Sequence, residues 1–65
     1  MNDKRWKIIM HTSWGGRVRY VHRDGTKEWE SEEEVRRVAD VVGRRAQRTV
    51  SVTRVEVEEE RTEVP

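Results

Sequence analysis

The chain has 65 residues, 14 Lys/Arg against 13 Asp/Glu, a formal charge of +1 and no Cys, which fits one small domain and excludes disulfides and thiolate metal sites. The balance hides a split: residues 1–27 hold seven Lys/Arg against Asp3 and Asp24, whereas residues 28–65 hold seven Arg against eleven Asp/Glu, a pattern suited to an electrostatic face. No run of about 18 apolar residues is present to span a membrane, and the N-terminus has no signal-type hydrophobic stretch, so the expected location is cytoplasmic.

Residues 5–12 alternate as a strand. Even positions carry Trp6, Ile8 and Met10; odd positions carry Arg5, Lys7, Ile9 and His11. Ser13-Trp14-Gly15-Gly16 supplies a turn with Gly for positive φ. Pairing Thr12 with Gly16 sets Met10 opposite Val18 and Ile8 opposite Tyr20, which keeps one face apolar; a slip of one residue would mix Arg with Trp. The second strand, residues 17–23, then adds Arg17, Arg19 and Arg23 to the odd face.

Asp24-Gly25 is a two-residue hairpin signal. Pairing Arg23 with Thr26 starts a third strand, with Trp29 opposite Tyr20 on the apolar face and Glu28 and Glu30 on the charged one. Ser31 is a helix N-cap and Glu34 completes a capping box. Val35, Val38, Ala39, Val42 and Ala46 repeat at helical spacing. Glu32/Arg36, Glu33/Arg37 and Asp40/Arg44 are i,i+4 pairs in the favourable order. Gly43 either ends the helix or weakens its last turn.

Residues 49–58 read as the last strand. The apolar phase changes between Val50/Val52 and Val55/Val57, which implies a bulge near Thr53-Arg54, or apolar contacts on both faces. Residues 1–57 are thus one α+β domain of order β-β-β-α-β, an antiparallel sheet with one helix on the Trp/Tyr face. Residues 58–65 form an acidic, flexible tail. With no Leu or Phe, the three Trp and one Tyr supply much of the core volume. A chain this short buries only about 60% of its unfolded surface.

Catalysis has little support: no catalytic residue, metal ligand set or cofactor is expected. His11 and His22 fall on opposite faces, and the Ser residues lack an adjacent base. Gly15-Gly16 is too short to cradle a phosphate and precedes a strand. So small a core leaves no room for a pocket of a few hundred Å³. His22 reads as a core or rim histidine.

The remaining function classes are binding ones. The candidate partner-binding residues are Arg5, Lys7, His11, Trp14, Arg17, Arg19 and Arg23. A cation-rich sheet can contact phosphates and read guanine edges, so direct DNA or RNA binding by the three-stranded sheet is one expectation. Glu28, Glu30 and a sequence pI of 8.2 count against it, because dedicated domains are more basic. Trp14, between Ser13 and Gly15 at a hairpin tip and flanked by Arg, has the composition of a protein-interface hot spot. Its alternative is to fold back over Met10 or the helix end. A homodimer through the last strand is a third possibility.

Trp6-Lys7-Ile8, Gly15-Gly16-Arg17, Arg19, Trp29 and Ser31-Glu32-Glu33-Glu34 give residues 5–46 a resemblance to the arm-type DNA-binding domains of phage-type tyrosine recombinases. That resemblance implies DNA reading by the sheet through Lys7, Arg17 and Arg19. The chain departs from that family in the strand after the helix. In size and style the whole chain also resembles small phage-encoded accessory proteins, which implies a non-enzymatic protein that binds and inhibits or modulates a host defence or transcription complex through the basic hairpin face and Trp14.

Overall fold

A computed structural model describes residues 4–46, 48–49 and 51–60. The elements are β1 (Arg5–Thr12), β2 (Arg17–Arg19), α1 (Glu32–Ala46) and β3 (Val52–Glu60). The fold is α+β: a three-stranded antiparallel sheet of order β2-β1-β3 with α1 packed against β1 and β3.

The first hairpin has the register that keeps its faces distinct. Met10 opposes Val18, and the Tyr20 N–H donates to the Ile8 carbonyl at 2.8 Å. Thr12 closes the loop: its N–H donates to the Gly16 carbonyl, and its hydroxyl accepts from the Gly16 N–H at 2.7 Å. Gly15 takes φ +87°, a conformation that disfavours any Cβ.

The second expected hairpin differs. β2 stops at Arg19, not at residue 23, and the third strand shrinks to one bridge, Trp6 to Trp29, whose two backbone hydrogen bonds measure 2.8 and 2.9 Å. A turn does form at Asp24-Gly25, but shifted by one residue from the expected pairing of Arg23 with Thr26. The His22 N–H donates to the Thr26 carbonyl and the Gly25 N–H to the His22 carbonyl, which makes a three-residue loop. In it Gly25 has φ +92°, and the Asp24 carboxylate accepts from the Thr26 N–H. Trp29 therefore meets Trp6 of β1 and not Tyr20. This places its ring, 7% exposed, against Ile8 and Val35. A buried aromatic removes roughly 150–250 Å² from water, which outweighs a ladder position or two in an edge strand.

The helix starts as its sequence dictates, with the Glu34 N–H donating to the Ser31 hydroxyl and the Val35 N–H to the Ser31 carbonyl. It runs through Gly43 to Ala46. A Cβ built at Gly43 would stand 4.0 Å from the Val55 Cβ, so helix and strand approach closely there.

β3 lies antiparallel to β1, from Arg5 opposite Glu60 to Thr12 opposite Val52. The phase change among its valines is a bulge: His11 pairs with Arg54 and Thr12 with Val52, leaving Thr53 extra. The Thr53 hydroxyl donates to the His11 carbonyl at 3.1 Å. Beyond the bulge Val55 and Val57 turn to the core formed by Ile8, Trp29 and Val35. Residues 58–60 are strand, not tail, because each acidic residue on the outer face meets a cation from β1 or β2. Residues 61–65 of the expected tail, and Val50 of the last strand, lie outside the described residues.

Candidate functional site: a neutralised sheet face and an apolar groove

Opposed residues of an antiparallel ladder share a face. Register alone therefore puts Arg5, Lys7, Ile9 and His11 of β1 beside Glu60, Glu58, Glu56 and Arg54 of β3, and beside Arg17 and Arg19 of β2. Side chains follow. Arg19 holds Glu60 through two hydrogen bonds, 3.0 and 2.7 Å, and reaches Glu28 at 3.5 Å. Arg17 bonds Glu58. Arg5 lies 3.7 Å from Glu28 and 3.5 Å from Glu30. His11 Nε2 donates to Glu56 at 2.8 Å, and Arg54 joins the same carboxylate at 3.4 Å.

Three titrations register this lattice. The Arg19 hydrogen bonds hold the Glu60 carboxyl below the usual range, and reciprocally raise Arg19. The His11 hydrogen bond, with Arg54 nearby, lowers Glu56. Ile9, only 8% exposed, sits at the centre of this face between Arg19 and Glu56. The aliphatic stems of long charged neighbours are what such a face has to cover it.

The seven candidate residues thus fall into three groups. Arg5, His11, Arg17 and Arg19 each have a carboxylate partner within the chain. Lys7 and Arg23 form no ion pair among the described residues, although Lys7 opposes Glu58 in the ladder. Trp14 stands apart, 71% exposed at the hairpin tip. It folds over its own turn, not over Met10 or the helix end: a Cβ on Gly16 would lie 2.9 Å from the Trp14 Nε1. The face expected to be uncompensated is therefore largely compensated by β3.

The opposite side of the sheet carries a feature that sequence reasoning missed. α1 crosses β1 and β3 but leaves β2 uncovered. Val18, at an expected core position, is 43% exposed as a result. Between the helix and the segment that follows β2 lies an open groove of about 550 Å³, lined by Met10, Tyr20, His22, Val38, Val41 and Val42 among others. It is a surface trough, so a core too small to enclose a pocket still leaves a depression of that size. Val41, 50% exposed, widens the helical stripe beyond what the sheet covers; its spacing from Val38 and Arg45 was the available signal.

The groove has fixed walls. The Tyr20 hydroxyl and His22 Nδ1 are 3.0 Å apart, and the His22 ring meets Trp29 edge-on at 6.5 Å. Arg37 and Arg45 stand among its lining residues. Arg37 is bound to Glu33 at 2.7 Å, whereas Arg45 has no ion pair among the described residues. Val52 and Thr49 line one end. Val52 pairs with Thr12, and the Ser13 N–H donates to the Ser51 carbonyl at 2.9 Å. The turn that carries Trp14 is thereby held to β3 and the residue before it through its Thr12 and Ser13 backbone.

Among the described residues no cluster of three or more His, Asp or Glu could hold a metal ion, and no helix is long and apolar enough to cross a membrane. Comparison with protein-family models, curated proteins and solved structures found no match to this chain.

Proposed function

We propose that the protein is a non-enzymatic protein-binding module that seats an apolar, carboxylate-flanked segment of a partner in the groove between α1 and residues 20–22, with Trp14 as an anchor at the groove's end. The observation that carries this reading is the apolar trough itself, with Val41 left half exposed and Arg37 and Arg45 among its lining residues. An exposed apolar patch with a polar rim is the usual form of a protein interaction site. A tip Trp next to it is of the residue type that dominates binding energy. Arg45 supplies an unpaired charge for a partner carboxylate.

The ion-paired outer face favours a protein over a nucleic acid. A phosphate backbone would have to displace carboxylates already hydrogen-bonded to Arg17 and Arg19, which leaves Lys7 and Arg23 as the readiest contacts. In this reading the protein modulates a larger complex by occupying one of its subunits, as an accessory protein would.

Selection of a random peptide library on the immobilised protein tests the reading. Enriched peptides should combine apolar residues with Asp or Glu, and should lose binding to Val41→Glu and to Trp14→Ala. Enriched peptides that bind both variants unchanged would place the site elsewhere.

A further inference from the structure

β3 is an edge strand. One side bonds β1, and along the other its backbone N–H and C=O groups have no ladder partner among the described residues. Proteins blunt such edges by shortness, Pro, Lys or a bulge, because an open edge templates pairing with another chain. The opposite edge meets this rule, since β2 is three residues long. β3 does not: it runs nine residues without Pro or Lys, and its bulge lies at one end. Acidic side chains could guard it by repulsion. Glu56, Glu58 and Glu60 are instead turned onto His11, Arg17 and Arg19 of their own sheet. Beside the strand, on the helix side, an open groove of about 620 Å³ is lined by Val55 of the strand and by Ala39 and Gly43 of the helix, together with the charged Arg36, Asp40 and Arg44.

We propose that β3 pairs antiparallel with β3 of a second copy about a two-fold axis at Glu56, giving a six-stranded sheet with both helices on one face. Charge complementarity and register select this occupant and this axis. Opposed residues must share a face, so residues of like parity meet. With the axis at Glu56, Val55 meets Val57 twice on the helix side, and Arg54 meets Glu58 twice on the outer side. An axis at Val57 would oppose Glu56 to Glu58 twice, two like-charge pairs against the single Glu56 pair of the chosen axis, and such pairs destabilise a sheet. An axis at Val55 would run Val57 into the bulge at Thr53. The Glu56 pair on the axis is flanked by His11 and Arg54 of each chain. This interface lies across α1 from the groove of the proposed function, so the two stand or fall separately. It also supplies burial that so short a chain lacks on its own.

The chain has no cysteine, so single-site cross-linking reads the register directly. Sedimentation equilibrium of the wild-type chain should give twice the 7.8 kDa chain mass at high concentration, with a Tm that rises with concentration. Arg54→Glu alters an exposed side chain and should return the monomer with an unchanged circular dichroism spectrum. Under mild oxidation Glu56→Cys should form an intermolecular disulfide, as opposed antiparallel positions fall within disulfide reach; Thr53→Cys should not. A monomer at every concentration would overturn the proposal. So would an Arg54→Glu dimer, or cross-linking through Thr53→Cys in place of Glu56→Cys.

Discussion

Arg19 of β2 and Glu60 of β3 are joined by paired hydrogen bonds across the full width of the sheet, over the intervening strand β1. Paired guanidinium–carboxylate contacts are stronger and more directional than single ones. This pair ties the last residue of β3 to the last residue of β2. A double-mutant cycle with Arg19→Gln and Glu60→Gln should give a coupling of about 1 kcal/mol in urea unfolding, at the upper end for exposed pairs. Additive effects would mean that the contact contributes nothing beyond its two residues.

The lattice makes the fold acid-sensitive. Glu60, through Arg19, and Glu56, through His11, have carboxyls held below the ordinary Glu value of 4.5. For a depressed carboxyl the stabilisation is complete above the unfolded-state value and is lost as pH falls through the folded one. Thermal melts should therefore hold steady down to about pH 5 and decline below the ordinary Glu range. Added salt should shrink the pH dependence by screening this open face. Glu60→Gln should flatten part of the decline; an unchanged profile would remove Glu60 from the account.

Two glycines should respond with opposite signs. Gly43 is helical and a Cβ there meets only ordinary contact with Val55. Gly43→Ala should stabilise by about 0.5–1 kcal/mol. Gly16→Ala would put a Cβ 2.9 Å from both the Thr12 hydroxyl and the Trp14 indole nitrogen. It should destabilise the turn and shift the Trp14 resonances in a proton–nitrogen correlation spectrum. A stabilised Gly16→Ala with an unmoved indole signal would contradict the described turn.

What could be read from the chain beforehand was local. The Thr12–Gly16 closure, the Met10–Val18 register, the Ser31 cap and the three i,i+4 pairs all depend on neighbours within a few residues, where spacing determines which groups meet. The bulge at Thr53 was visible as a break in valine parity. Which strand takes the centre of the sheet was not visible, because parity assigns a face and not an edge. That gap misplaced residues 58–60: an acidic run resembles a solvated tail until cations more than forty residues away are brought opposite it. Trp29 went to Trp6 because burial of its ring overrode the shorter-range hairpin pattern. The groove was missed because it lies between α1 and residues 20–22, a matter of helix placement that alternation does not encode.

The central claim is that the outer face satisfies its own charge and that binding belongs to the groove and Trp14. Capture from a nuclease-treated lysate, compared across variants of verified fold, tests it most directly. The account predicts that Val41→Glu/Trp14→Ala loses the captured protein, while Lys7→Gln/Arg23→Gln, which removes two unpaired cations of the hairpin, retains it. Capture that vanishes on nuclease treatment and falls with Lys7→Gln/Arg23→Gln, while Val41→Glu/Trp14→Ala leaves it unchanged, would contradict the account and return the function to nucleic-acid binding.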